Sequence, residues 1–253
     1  YLNENLKNIG SNAFKGCHAL NILTIPMSVN NISSNALDSC QKLRYITLGG
    51  PEILNLGSNF AAQSPIESIM LRGNVNAKFS HLKTLDSVYR TKYCNTYYPY
   101  QFANCPDLSN VNFYNIKSIG QAAFYNCTAL DAIDLETVEE IGNQAFNNCT
   151  NLASVKFGDK ITKIPDCLSK SGITALNIPD NVTSFTTPGN CESLATVTIG
   201  DGVTQCNGGF TGCTSLQSVR FGKNTTAVYL QPKSVRKIIS ANPVPPKASN
   251  FQK

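Results

Sequence analysis

The stretch from Ile119 to Phe157 contains one phrase written twice. Ile119, Phe124, Cys127, Leu130, Ile133 and Leu135 recur 22 residues later as Ile141, Phe146, Cys149, Leu152, Val155 and Phe157. Apolar positions that match at one offset define an internal repeat, and a unit this short cannot enclose a core of its own. It buries its apolar face only against copies of itself stacked on either side. A chain built this way is an elongated coil held by nearest-neighbour contacts, whatever its total length.

Aligned on L-x-x-I-x-L, the chain shows eleven starts: Leu20, Leu43, Ile66, Leu85, Leu108, Leu130, Leu152, Ile173, Leu194, Leu216 and Val235, at intervals of 19 to 23 residues. After each start the third and fifth positions are usually apolar, as in Leu23 and Ile25, Ile46 and Leu48, and Val197 and Ile199. That alternation is the period of a half-buried strand. Period and motif together indicate a leucine-rich repeat. Parallel rungs at roughly 4.8 Å spacing would make a sheet on the order of 50 Å long.

The return path has its own pattern. Ile9–Phe14–Cys17, Ile32–Leu37–Cys40, Ile119–Phe124–Cys127 and Ile141–Phe146–Cys149 share the spacing I-x4-F/L-x2-C. The segment is too short for an independent helix, so a single helical or 3₁₀ turn is expected to point Phe inward with Cys behind it. Val138, Ile161, Val182 and Val203 each precede an inward residue by three positions, which suggests a second short strand on the other side of the coil. The expected fold is a leucine-rich repeat solenoid of about eleven rungs of short parallel β-strands with mostly non-helical or 3₁₀ return segments, a curved right-handed coil. Residues 1–253 form a single domain in this reading.

Composition supports it. The chain has 29 asparagines, and Asn suits tight corners because it tolerates left-handed backbone. Seven of the ten cysteines, Cys17, Cys40, Cys105, Cys127, Cys149, Cys191 and Cys213, hold one repeat position. Residues locked to a repeat in this way read as small buried hydrophobes with free thiols. Cys94, Cys167 and Cys206 lie off it. No C-x-x-C occurs and there are only two histidines, so neither a metal site nor a cofactor is expected. A net charge of +5 does not indicate nucleic acid, and no apolar run is long enough to span a membrane.

Two regions depart from the phrase. About residues 72–104 the strand near Leu85 is weak, and the region reads as an irregular insertion rich in tyrosine. Six of the ten tyrosines lie between Tyr89 and Tyr114. Beyond residue 223 the pattern decays into a degenerate repeat or cap containing Pro243, Pro245 and Pro246, whose missing amides would stop strand pairing.

The phrase I-G-x-x-A-F-x-x-C-x-x-L-x-x-I-x-L resembles the BspA-type leucine-rich repeat, which occurs in surface proteins of anaerobic bacteria and some protozoa. The resemblance covers nearly the whole chain and is closest over Ile119–Phe157. It implies a secreted or surface-attached protein, extracellular in location, whose partner is another extracellular protein such as a host matrix or surface protein. It supplies no catalytic or ligand residue to carry over.

Outward positions of the main sheet form a polar, lightly charged face, which is either a recognition surface or solvated sheet. The residues singled out for a partner are Arg72, Tyr89, Tyr97, Tyr98, Tyr100, Asn112 and Tyr114, with Tyr97, Tyr98 and Tyr100 expected on an exposed loop bordering that face. Tyrosines offer rigid contact area with a hydroxyl; equally, these rings could plug a defective repeat. Asp131, Asp134, Glu136, Glu139 and Glu140 form an acidic patch without calcium-loop spacing. His18 beside Cys17, and His81 alone, make no catalytic constellation, so no enzyme activity is expected. The function read from the residues is a monomeric, non-catalytic binding or adhesion module. A glycan-binding surface at Tyr89–Tyr114 and a structural spacer are the alternatives.

Overall fold

A computed structural model describes residues 2–49, 54–57, 59–79, 82–228, 235, 237–240 and 247–248. Each start identified in the sequence produces a short strand a residue or two later. The eleven strands are Ile22–Thr24, Tyr45–Leu48, Ser68–Leu71, Ser87–Arg90, Asn110–Val111, Ala132–Leu135, Ser154–Phe157, Ala175–Ile178, Thr196–Ile199, Ser218–Phe221 and Lys237–Ser240. All pairings are parallel and in register with the repeat, for example Ile133 with Val155 and Leu135 with Phe157. A second set, among them Ser118–Ile119, Glu140–Ile141 and Lys163–Ile164, runs along the return side. The chain is thus a stack of parallel-stranded coils, a solenoid of about ten turns.

The core between the two ladders is a column of rings. Phe79, Phe102, Phe124 and Phe146 stack with centroids 5.3, 5.4 and 5.4 Å apart, and Phe60 continues the column edge-on to Phe79 at 6.1 Å. Spacing near 5 Å is the rung spacing itself, so one ring per coil forms a continuous stack without any coil changing length.

The cysteines close this column, and the thiol has a specific task. Cys127 Sγ donates to the carbonyl of Phe102 at 3.1 Å and Cys149 Sγ to that of Phe124 at 3.2 Å, each one coil back. Cys40, Cys105 and Cys191 do the same to Phe14, Phe79 and Leu168. Each of these carbonyls already accepts a backbone amide three residues on, and the thiol supplies its second donor within the volume of a small hydrophobe. All ten cysteines are free, nine of them buried and Cys17 half-buried.

The return turns differ from the expected helical turn. Among the described residues there is neither α-helix nor 3₁₀ helix. Two positions per turn take positive φ, as at Ala122 (51°) and Asn126 (60°), or Gln144 (61°) and Asn148 (68°). A left-handed residue every few positions ends helical winding before it starts. The turns instead pair with their neighbours: Phe102, Phe124 and Phe146 amides donate to Ala123, Ala145 and Cys167 carbonyls in the next coil. Asn104, Asn126, Asn148 and Asn190 hold left-handed corners, and Asn148 to Asn126 to Asn104 forms a side-chain ladder at 2.9 and 3.0 Å.

The tyrosine-rich region keeps the main-sheet register, although the return ladder breaks between Val75–Asn76 and Thr96–Tyr97. Ser87–Arg90 pairs in register with its neighbour from Ser68 to Leu71, and Thr96–Tyr97 pairs with Ser118–Ile119. Tyr97, Phe102 and Cys105 have the same spacing as Ile119, Phe124 and Cys127; a tyrosine in the isoleucine place disguised the phrase. Near the C-terminus, pairing resumes after the prolines, with Ala227–Val228 opposite Lys247–Ala248. The prolines themselves, and His81, lie outside the described residues.

Candidate functional site

The main ladder is interrupted after Val111. Strands Ile22–Thr24 through Asn110–Val111 form one sheet, and the next, Ala132–Leu135, pairs only forward with Ser154–Phe157. A second break follows Ser154–Phe157. Tyr97 is buried behind the first. Its ring lies edge-on to Phe102, Phe113 and Phe124, with centroids 5.8, 5.8 and 5.0 Å away. A buried phenol needs an acceptor, and its hydroxyl takes the backbone carbonyl of Asn112 at 2.8 Å. Arg90 Nε donates to the same carbonyl at 3.0 Å. In this repeat that carbonyl faces the preceding coil, as the Thr47 carbonyl accepts the Ile25 amide, so both side-chain donors lie on the side it already faces.

The gap opens a cavity of about 410 Å³ on the outer face of the main sheet. Asn110, Asn112 and Tyr114 line one wall, Asp134 and Glu136 the other, with Thr137 at the end. Both walls carry the same local device one coil apart: Asn112 Oδ1 accepts from the Tyr114 amide at 2.8 Å, and Asp134 Oδ1 from the Glu136 amide at 3.0 Å. Asn110 Nδ2 donates to the Tyr89 hydroxyl at 3.3 Å. Lys156 Nζ bridges Asp134 and Glu136 at 3.2 and 3.4 Å. Those hydrogen bonds raise the lysine pKa, Asp134 contributing most.

Of the residues singled out from the sequence, Tyr89, Asn112 and Tyr114 meet at this cleft. Tyr97 does not: it is fully buried in the return sheet, not exposed on a loop, because its place is the core isoleucine place. It lies behind the cleft. Tyr98 is half-buried in the return turn, its amide bonded to Gln101 Oε1 at 3.0 Å. Tyr100 is exposed in that same turn with φ of 59° and Lys78 Nζ 5.2 Å from its ring centroid. Neither borders the main face. Arg72 is half-buried at the end of Ser68–Leu71, its guanidinium donating to the Ile25 carbonyl two coils away.

A second feature of the same face was not singled out. Ile22, Tyr45, Met70 and Tyr89 are exposed large side chains on four consecutive strands, and Tyr114 is exposed in the turn beyond Asn110–Val111. Ile22 opposes Tyr45, and Met70 opposes Tyr89, while the stripe shifts two residues along the strands between Tyr45 and Met70 and again between Tyr89 and Tyr114. Alternating positions in each strand made them visible one at a time; their alignment depends on register. Past the cleft the face is polar at Ser154, Lys156, Asn177, Thr196, Thr198 and Arg220, before Ile238 and Ile239 are exposed again on the last strand.

His18 is exposed and Cys17 packs partly against the core, so the two form no unit. Among the described residues no group of His, Cys, Asp and Glu side chains could hold a metal ion, and no helix is long and apolar enough to cross a membrane.

The model of the BspA type leucine rich repeat region matches in six copies over residues 1–81, 76–188 and 189–231. This chain belongs to the BspA-type leucine-rich repeat family. Its fold is shared with a leucine-rich repeat protein from Bacteroides ovatus, at a TM-score of 0.61 and 20% identity over 93% of this chain. The chain spans 64% of that protein's length. A leucine rich cell surface protein from Faecalibacterium prausnitzii is also similar, at a TM-score of 0.40 and 20% identity over 93% of this chain and 83% of that one. No curated protein matches.

Proposed function

We propose that the BspA-type repeat protein is a non-catalytic binding module, secreted or displayed at a cell surface, that presents its main sheet to an extracellular protein partner. The whole run 1–253 acts as one repeat domain in this reading. The observation that carries it is the stripe Ile22–Tyr45–Met70–Tyr89–Tyr114 on a largely polar face. Exposed apolar side chains scattered singly need no explanation, but a contiguous line across consecutive rungs is what protein contacts use. Solenoids present such extended faces readily, because adding a coil extends the surface without altering the rest.

The test is direct binding to a panel of purified extracellular-matrix and surface proteins. Ile22→Ser, Tyr45→Ser and Met70→Ser, combined in one variant, should abolish any binding seen with the native chain while leaving the melting transition in place. Binding that survives the triple change refutes the stripe as the contact surface.

A further inference from the structure

The cleft behind Tyr114 differs in chemistry from the apolar stripe. The geometry points to a binding site for a neutral saccharide between Asn110–Tyr114 and Ala132–Glu136. Its 410 Å³ lies at the low end of small-molecule sites, room for the end of a sugar chain. Tyr114 stands at its rim with 72% of its surface exposed, a flat ring free to take the C–H face of a pyranose.

The polar groups are already oriented. Asn110 spends its amide nitrogen on Tyr89, which leaves its carbonyl oxygen as an acceptor. Asn112 spends its oxygen on the Tyr114 amide, which leaves its nitrogen as a donor. Asp134 and Glu136 share one lysine and keep acceptor capacity on their carboxylates. Fixed donors and acceptors on two walls, with an aromatic plate at the mouth, suit adjacent sugar hydroxyls, each of which both donates and accepts. Preorganisation of this kind lowers the ordering cost of binding.

Charge narrows the ligand. Two carboxylates against one ammonium disfavour sialylated, sulfated or phosphorylated sugars. This inference shares Tyr89 and Tyr114 with the protein-binding stripe but uses none of Ile22, Tyr45 and Met70, so the variants below separate the two readings.

Saturation-transfer NMR on the full chain tests it, with a panel of neutral disaccharides built from hexoses and N-acetylhexosamines, sialyl and sulfated counterparts, and a set of extended peptides. At least one neutral sugar should give transfer. Tyr114→Ala should weaken it about tenfold or more, Tyr114→Phe should retain it, and the Tyr45→Ser/Met70→Ser variant should be unaffected. Transfer from no neutral sugar overturns the proposal. So does a preference for acidic sugars or peptides, or an affinity unchanged in Tyr114→Ala.

Discussion

Tyr97 stands in a core isoleucine place and brings a phenol oxygen with it, and that oxygen finds its acceptor in the Asn112 carbonyl behind the cleft. Neighbouring core residues have simpler consequences. Phe146 is fully buried and stacks on Phe124 with planes 3° apart. Phe146→Ala is expected to cost about 3–5 kcal/mol, seen as a lower denaturation midpoint. An unchanged midpoint would exclude it from the core. The cysteines add a pH dependence. Burial pushes the Cys105 and Cys149 thiols up to about 12 from an ordinary value of 9.0. The folded chain then keeps protons that the unfolded chain releases. Each thiol's stabilising contribution is full below pH 9.0 and lost as pH climbs toward about 12. Cys149→Ser, which keeps a donor for Phe124 but does not titrate, should flatten the fall of stability between pH 9 and 11. The change in slope should approach one proton, about 1.4 kcal/mol per pH unit. Identical slopes in both proteins would refute a buried neutral thiol.

At the scale of the element, the I-G pair is a spacing device. A Cβ on Gly142 would sit 2.3 Å from the Gln121 nitrogen, and one on Gly120 would sit 2.4 Å from the Pro99 nitrogen. Successive return strands approach so closely there that only hydrogen fits. Gly142→Ala must therefore push two coils apart, and the loss should exceed the roughly 1 kcal/mol by which alanine and glycine ordinarily differ. Thermal denaturation of Gly142→Ala beside Gly10→Ala provides the comparison, because nothing lies within 4 Å of a Cβ at Gly10. Equal effects at both sites would rule out the close approach. The left-handed corners belong to this scale too. They place alternate turn amides toward the next coil, so the ladder continues around the bend, while the amides between them bond within the turn.

For the molecule as a whole, every coil packs mainly on two neighbours, so damage should stay local. In Phe146→Ala, hydrogen exchange should accelerate most between residues 119 and 178 and least near residues 22–48. Uniform acceleration would mean a cooperative globule. The cysteines report on the same property. With nine of the ten buried, a thiol reagent should modify Cys17 in the native protein and all ten after denaturation. Rapid native modification of several others would show that the coils open more readily than their packing implies.

The fold was legible in the sequence because a solenoid repeats its physics: one apolar pattern, read at one period, specifies strand and core for every coil. The strand starts from Leu20 to Val235, the inward phenylalanines, the cysteine position and the Asn-rich corners follow from local spacing and backbone preference alone. Tertiary structure decided what depends on register between coils. It aligned Ile22, Tyr45, Met70, Tyr89 and Tyr114 into one stripe, and it joined two walls 22 residues apart, Asn112 and Asp134, into a cleft. It also moved Tyr97 from an anticipated surface loop into the core. Its spacing to Phe102 and Cys105 was already in the sequence, but its effect was not. A hydroxyl's influence lies in the acceptor it finds, and that acceptor, the Asn112 carbonyl, is brought to it only by the packing of the coil around the phenylalanine column.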